Sequence, residues 1–383
     1  GEGNDSVINT GKITLMKNPL TDEADADALG VSAALNISAG GAFKGNANLE
    51  VSGGAASDGR VISEALAVGI DTGSGHDTLD NEGDIELLPD SASTGVAASL
   101  NISGALTFKG ASLADVSGEA ASNSSVISKA IATGIDAGEG QDVIHNAGNI
   151  ILMDQNVGVS EVDAKALGIS ASLNVSGNVA IKGIAAGTVT GAALSNATVT
   201  AEAMATGLDG GGGNDNLANT GIIALLPSSE ATGVAASLNI SGNMVGEAEG
   251  SATSDASVTA ASSAIGIDGG EDADIILNEG AITLMKQDVG EDQVDAYALG
   301  IAASLDVTGT LYGTSEGQAL SKATTTAATA ATGVDGGSGR DVITNKAAIT
   351  ADVDSEALSV APSLGVSICL LYTSDAADDN RVV

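Results

Sequence analysis

The chain of 383 residues carries 50 Asp or Glu and only 13 Lys or Arg, which gives a formal charge of −37. Such a polyanion is repelled by nucleic acid, because it offers no positive surface from which binding could release counterions. With no Trp, two Phe and three Tyr against 52 Gly, the sequence also excludes a conventional core of aromatic side chains and predicts a thin, elongated one.

Six segments recur along the chain, each anchored on an aspartate that is followed four residues later by an asparagine. A Leu, Ile or Val stands two residues after each aspartate, and an Ile stands eight residues after it. The anchor aspartates are Asp5, Asp77, Asp142, Asp215, Asp274 and Asp341, and the asparagines are Asn9, Asn81, Asn146, Asn219, Asn278 and Asn345. Chance does not maintain this pattern, so the sequence predicts a repeat array with about 67 residues per unit.

The array is predicted to be a single domain over residues 1–367, with units beginning near residues 1, 73, 138, 211, 270 and 337. Residues 368–383 leave the pattern and resemble translated sequencing-adapter DNA, so they are expected to be a non-native or disordered tail. This tail contains the single cysteine, Cys369, which excludes an internal disulfide and is not expected to be catalytic. No apolar stretch is long enough to cross a membrane, and the chain begins inside a motif, so we interpret it as a fragment.

A second recurring segment alternates apolar residues with small or polar ones, as in Gly30–Ser38, with counterparts beginning at Gly95, Gly168, Gly233 and Gly300. This period of two is typical of a half-buried β-strand. The distance from the anchor aspartate to this glycine is 25, 18, 26, 18 and 26 residues, so long and short units alternate. The additional residues are acidic, at 22–27, 161–163 and 291–295, and are predicted to form surface loops.

These features predict an all-β fold, an elongated parallel β-solenoid built from the six repeats. Each unit has too little bulk to close its own core, and stacking identical units corrects this. Strands of stacked coils lie ~4.8 Å apart, so the asparagines at the fixed place in each repeat would form a hydrogen-bonded ladder. Small residues would face inward, because a flattened coil has little room. Disorder, suggested by the charge, and helix, suggested by stretches such as Ser63–Ala67 and Ala327–Ala331, are the competing interpretations.

The corner that precedes each anchor aspartate is rich in glycine, as in Asp335–Ile343. It resembles the RTX, or haemolysin-type, calcium-binding nonapeptide, G-G-x-G-x-D-x-U-x, where U is a large apolar residue. The resemblance implies that Gly337 and Gly339 make the turn, that U points into the core, and that aspartates and backbone carbonyls ligate Ca²⁺. The candidate metal ligands are the aspartates at the two ends of the corner, Asp71, Asp77, Asp136, Asp142, Asp209, Asp215, Asp335 and Asp341.

The corner departs from the RTX pattern in two ways. Asp272 stands where a glycine is expected before Asp274, and each unit has one nonapeptide where RTX sites use tandem copies. Stacked corner aspartates ~4.8 Å apart would repel by about 3 to 4 kcal/mol at an effective dielectric of roughly 20, and a cation would relieve this. The alternative is that Asp and Asn simply suit a glycine-rich turn.

Other motifs are interpreted as structural. The Gly-x-Gly-x-Asp segments lack the lysine of a phosphate loop, and their aspartates would repel phosphate. His76 and His145 occupy variable positions of the repeat, which argues against a shared catalytic or zinc site. Asn36-Ile37-Ser38 and its equivalents match the glycosylation pattern, but Asp306 replaces the asparagine in the fifth unit, which favours a polar ladder or turn.

Three function classes follow. The repeats resemble passenger regions of bacterial autotransporters and haemagglutinin-like adhesins, which implies a structural or adhesive role at the cell surface and binding of host or neighbouring-cell molecules or glycans. The second class is a calcium-dependent RTX-like secreted module. The third, a polysaccharide-cleaving β-helix enzyme, needs clustered basic residues that this sequence lacks, so no enzymatic activity is expected.

Overall fold

The computed structural model describes residues 1–15, 24–42, 47–108, 110–152, 162–181, 183–284 and 293–370. Within these ranges the chain forms strands and turns and contains no helix. Neighbouring strands pair in parallel, and equivalent positions of the repeated segments lie beside one another, as Asn81 does with Asn9 and Asn146. The predicted class, all-β with parallel sheets, is therefore confirmed.

Two short sheets of six parallel strands each flank the corners. The first, in spatial order, comprises β1 (Ser6–Asn9), β6 (Thr78–Asn81), β11 (Val143–Asn146), β15 (Asn216–Asn219), β18 (Ile275–Asn278) and β21 (Val342–Asn345). The second comprises β2 (Ile13–Leu15), β7 (Ile85–Leu87), β12 (Ile150–Leu152), β16 (Ile223–Leu225), β19 (Ile282–Leu284) and β22 (Ile349–Ala351). A minimal sheet of β5 (Ser74–Gly75) and β10 (Glu139–Gly140) lies in the corners themselves.

The long strands form one large sheet that doubles back into two walls. The front wall contains β3 (Ala24–Ala42), β8 (Pro89–Thr107), β13 (Val162–Ala180), the first halves of β17 (Pro227–Asp268) and β20 (Val294–Asp335), β23 (Val353–Val360) and β24 (Ser363–Cys369). The back wall contains β4 (Ala47–Asp71), β9 (Gly110–Asp136), β14 (Gly183–Asp209) and the second halves of β17 and β20. The strands β17 and β20 therefore belong to both walls.

The two walls face each other across a narrow core of small residues. A Cβ atom built on Gly95 of the front wall would lie 2.5 Å from Val126 Cγ2 of the back wall. The hydroxyls of Ser99 and Ser122 lie 2.9 Å apart across the same gap. Because Gly, Ala, Ser and Asn occupy the inward positions, the walls come close together, as predicted for a flattened core.

The bulky apolar residues are buried at the other end, where the two short sheets meet the back wall. They include Leu79, Ile85, Leu87, Ile135, Ile144, Ile150, Leu152, Leu208, Leu217, Ile223 and Leu225. Glycines let the back wall approach this core, since a Cβ on Gly134 would lie 2.5 Å from Ile150 Cγ2. The expectation that the apolar residue of each corner motif points inward is met at Leu79, Ile144 and Leu217.

The two walls together form a flat body, which we call the slab. The slab is longer in the direction of its strands than in the direction in which its layers stack. A strand of 25 residues such as β4 spans roughly 80 Å, whereas six layers stack to only about 24 Å between the first and last strand axes. These six layers by themselves are thus not elongated along the stack, in contrast to the elongated solenoid that the sequence predicts.

Two further expectations are decided by strand assignments. The segments Ser63–Ala67 and 327–331 lie in β4 and β20, so the helical alternative is wrong for them. Of the predicted acidic loops at 22–27, 161–163 and 291–295, residues 22–23, 161 and 291–292 lie outside the described residues. Residues 24–27 lie in β3, so the loop prediction is wrong for them. Asp163 and Asp295 also lie in strands and not in loops.

Of the predicted tail, Cys369 is the last residue of β24. Residues 371–383 lie outside the described residues.

Candidate functional site

The outer aspartates of the corners end the strands of the back wall and close the turns. Asp71, Asp136, Asp209, Asp268 and Asp335 lie side by side in register. In four corners the Oδ1 atom of this aspartate accepts the backbone N–H two residues ahead, with a distance of 3.0 Å from Asp136 to Gly138 and from Asp335 to Gly337. Gly337 and Gly339, predicted to make the turn, have φ angles of +72° and +147°. These aspartates are thus turn residues, the role that glycine-rich corners favour for Asp.

The inner aspartates form a second column with a different hydrogen bond. The backbone N–H of each one donates to Oδ1 of the next, at 2.6 Å from Asp77 to Asp142 and 2.8 Å from Asp142 to Asp215. Asp274 continues this column, accepting from Asp215 at 2.8 Å and donating to Asp341 at 3.1 Å. The sequence left the Asp274 corner in doubt, and the structure places it with the others.

The second carboxylate oxygen of the inner column is buried and unpartnered. Within the described residues, no hydrogen bond reaches Oδ2 of Asp77, Asp142, Asp215 or Asp274, whose side chains are at most 2% exposed. Burial raises the pKa of Asp142 and Asp274, and it raises the pKa of Asp215 to about 7. The charges of neighbouring aspartates raise the pKa of these carboxyl groups further, and the hydrogen bond that each accepts from a backbone N–H lowers it. The column therefore carries fewer negative charges at neutral pH than its composition implies.

The corner carboxylates do not form a complete calcium site by themselves. Among the residues described here, no three His, Cys, Asp or Glu side chains converge on a point where they could hold a metal ion. Ca²⁺ takes about six to eight oxygen ligands. An ion at a corner would have to take most of them from backbone carbonyls, several of which already accept hydrogen bonds, as Gly138 O does from Gly212.

The anchor asparagines form the ladder that the sequence predicts. Each Nδ2 donates to Oδ1 of the next asparagine, over Asn9, Asn81, Asn146, Asn219, Asn278 and Asn345, at distances of 2.6 to 2.8 Å. The interior members are fully buried, as in Asn81, Asn146 and Asn219. Because an unpaired buried amide is costly, this ladder fixes the register of the layers.

A second amide ladder lies in the narrow core between the walls. Asn36, Asn101, Asn174 and Asn239 each donate to the next member at 2.7 to 2.8 Å, and Asp306 accepts the last of these bonds. The Nδ2 atoms that a glycan would modify are thus engaged, and Asn101, Asn174 and Asn239 are fully buried. The glycosylation pattern is a structural ladder at these three positions.

The two histidines contact different neighbours at the surface. His76 Nδ1 accepts the backbone N–H of Gln141 at 2.8 Å, and His145 Nδ1 lies 2.9 Å from Asp80 Oδ1. His145 is about half exposed, and so is its aspartate partner. Each ring therefore belongs to a separate surface contact.

The outward side of the front wall is a feature that the sequence analysis missed. Small residues face inward, so the apolar residues of the same strands face outward in columns along the stack. The leucine column is Leu35, Leu100, Leu173, Leu238, Leu305 and Leu364, and the alanine column beside it is Ala33, Ala98, Ala171, Ala236, Ala303 and Pro362. A groove of about 690 Å³ follows the alanine column.

Two β-branched columns border the groove and the leucines. They are Val31, Val96, Ile169, Val234, Ile301 and Val360 on one side, and Ile37, Ile102, Val175, Ile240, Val307 and Val366 on the other. We call these four columns together the apolar face. The leucines of the end layers are exposed, Leu35 at 65% and Leu364 at 58%, and the four interior leucines are half-buried. The signal was in the sequence, because an alternation whose inward members are small must turn its large apolar members outward.

No known protein family, curated protein or solved structure matches this chain. No membrane-spanning helix is found in the part of the chain that the structure describes.

Proposed function

We propose that residues 1–367 form a parallel β-solenoid of six repeats, and that this solenoid is a structural or adhesive region of a large exported bacterial surface protein. The observation that carries the proposal is the buried ladder of asparagines, which runs without a break from Asn9 to Asn345. The aspartate, asparagine and glycine of each repeat all serve the contact with the next layer. A sequence devoted in this way to stacking suits a scaffold that holds other parts at a distance.

The extracellular assignment rests on composition and on the resemblance to adhesin passenger regions. A charge of −37 keeps such a surface soluble and hydrated, and the partners it suits are host or neighbouring-cell molecules or glycans. The scattered Lys and Arg residues give no cluster to hold an acidic polysaccharide, so catalysis is not part of the proposal.

Surface labelling of producing cells tests the location. Antibodies raised against residues 1–367 should label intact cells, and external protease should remove the signal. Labelling that requires permeabilised cells would overturn the proposal. For adhesion, cells that display the chain should aggregate or bind glycan-coated surfaces more than cells that display an unrelated β-protein of similar charge.

A calcium-stabilised, RTX-like module is the second candidate. It is favoured by the column of buried, unpartnered Oδ2 atoms in Asp77, Asp142, Asp215 and Asp274, because a cation beside these oxygens would compensate their charge. The ligands would be the inner aspartates, including Asp341, together with backbone carbonyls of the corner.

Circular dichroism and thermal melting separate the two candidates. A strand spectrum that forms, or melts later, only when calcium replaces chelator supports the RTX-like module, and Asp142→Asn should then reduce the calcium effect. Equal spectra and equal melting in both conditions leave the scaffold without calcium. Magnesium at the same concentration controls for general screening of the negative charge.

A further inference from the structure

The outward side of the front wall is apolar over an area as large as the largest apolar patches of monomeric proteins. From Val31 to Ile37 the strand advances about 20 Å, and six strands add about 24 Å, so the apolar face covers roughly 500 Å² in projection. Neighbouring outward positions are also uncharged, from the column of Leu29 to that of Gly41, which extends the uncharged area to roughly 1,000 Å². Exposed patches above a few hundred Å² mark interaction sites.

The outward side of the back wall mixes charged and polar residues with apolar ones such as Ile62, Leu66 and Leu320. Along the second half of β17, the outward side chains of the back wall are Glu247, Glu249, Ser251, Thr253 and Asp255. On the outward side of the front wall, charged residues begin in the column next to that of Leu29, at Asp27, Lys165, Glu230 and Glu356, outside the apolar face. Asp306, the acidic residue within the segments of the apolar face, points into the core. The uncharged stretch from the Leu29 column to the Gly41 column contrasts with the carboxylates of the back wall, which indicates that this part of the front wall is covered.

The geometry points to a second copy of this chain as the partner that covers the apolar face. Stable interfaces bury about 800 Å² on each partner, which the uncharged area of roughly 1,000 Å² around and including the apolar face can supply. Its columns repeat with the strand spacing of ~4.8 Å, and an identical stack has the same spacing, so contacts stay in step over all layers. This interaction goes beyond the proposed scaffold function and does not depend on it.

The columns also fix how two copies fit. A two-fold axis parallel to the stack, midway between the alanine and leucine columns, places each leucine column in the alanine groove of the other copy. Leu238 then packs on Ala236 of the second copy, and Ala236 receives Leu238 in return, which is the reciprocal contact of an isologous dimer. A flat lipid surface has no ridges to enter the 690 Å³ groove.

Sedimentation of the full chain over a concentration series tests the inference. We expect a monomer–dimer equilibrium that tightens as NaCl is raised, because salt screens the repulsion between two chains of charge −37. Leu238→Glu should weaken the dimer roughly tenfold or more, since it buries an unpaired charge at the centre of the contact. The matched control, Ser251→Glu, puts the same charge on the outward side of the back wall, in the column of Glu119, and should leave the dimer intact.

A size exchange tests the fit itself. Ala236→Leu increases the apolar area yet fills the groove, so it should weaken the dimer, whereas general stickiness would make it tighter. The double variant Ala236→Leu with Leu238→Ala exchanges ridge and groove and should restore dimerisation. All four variants change outward positions, and an unchanged strand spectrum confirms their folding.

Three outcomes would overturn the inference. The first is a wild-type chain that stays monomeric at every concentration and salt level. The second is a dimer that survives Leu238→Glu in a folded protein, or that is lost in Ser251→Glu. The third is a monomer that floats with vesicles of neutral phosphatidylcholine, which would assign the face to a membrane. None of these outcomes bears on the surface labelling of producing cells, so the two proposals fail separately.

Discussion

Gly191 of the back wall lies directly against Asn174 of the front wall, so that a Cβ atom on Gly191 would be 2.6 Å from Asn174 Nδ2. This contact recurs in each layer, with Gly118 opposite Asn101. The buried asparagine ladder and the glycine column thus require each other: the amides occupy the space that side chains on the back wall would need.

Gly191→Ala should therefore destabilise the protein. The added methyl group has no room without moving the amide ladder, and overpacking of this kind costs roughly 1 to 3 kcal/mol. Urea unfolding followed by circular dichroism measures the loss. Gly242→Ala is the matched control, since a Cβ at Gly242 meets nothing within 4 Å. Equal effects of the two substitutions would contradict the close approach of the walls.

Asn146→Ala should cost more than Asn9→Ala, although both residues belong to the same ladder. Asn146 accepts from Asn81 at 2.6 Å and donates to Asn219 at 2.8 Å, so its removal leaves a buried donor and a buried acceptor unpaired. We expect a loss of roughly 2 to 4 kcal/mol for Asn146→Ala and about 1 kcal/mol for the less buried Asn9→Ala. The free energy of unfolding in urea distinguishes them, and a ranking in the opposite order would argue against the ladder.

Acidification should stabilise the protein over the range in which Asp215 takes up its proton. Burial raises the pKa of Asp215 from 3.8 to about 7, so the folded state binds this proton more tightly than the unfolded chain does. The stabilisation is complete below pH 3.8 and is lost as the pH rises through about 7. Burial likewise raises the pKa of Asp136, Asp209 and Asp268.

The measurement is the urea midpoint at about pH 5 and about pH 8, where we expect the higher value at the lower pH. Asp215→Asn should raise the midpoint at the higher pH and reduce the difference between the two, because the amide is neutral throughout. The exposed Asp58→Asn removes the same charge and serves as the control. Identical pH profiles for wild type and Asp215→Asn would contradict the raised pKa of Asp215.

Asp272→Gly should stabilise the protein by about 1 kcal/mol. Asp272 has a φ angle of +75° where the other complete corners have glycine, and it is the sole non-glycine residue with positive φ in the described ranges. Asp272→Ala removes the same charge but keeps the Cβ atom, so it separates relief of backbone strain from relief of repulsion. Equal melting temperatures for the two variants would assign the effect to charge alone.

Much of this architecture could be predicted from the sequence because identical layers put identical residues together. The ladder through Asn146 and the inward position of Leu217 follow from their fixed places in the repeat. The outward orientation of Leu238 was missed, since a period of two alone defines two faces, and only a gap too narrow for large side chains decides which face is outward. That choice depends on the distance between the walls, which Gly191 and Asn174 set through space and not through neighbouring sequence.

The role of the corner aspartates was left open for a related reason. A carboxylate at a glycine-rich turn suits a turn hydrogen bond and a metal equally well. Asp136 and Asp142 belong to one corner but accept different hydrogen bonds, the first from an N–H of its own turn and the second from the N–H of Asp77 in the preceding layer. Sequence spacing does not distinguish these two geometries.

The amides of both ladders point the same way, and this gives the stack an electrical direction. Each Nδ2 donates toward the later layers, so the dipoles of Asn36, Asn101, Asn174 and Asn239 add as peptide dipoles do in a helix. Asp306 stands at the positive end of this series, where an anion is favoured. The two directions along the stack are thus unlike, because the amide hydrogens of the ladders point toward the later layers and the amide oxygens toward the earlier ones.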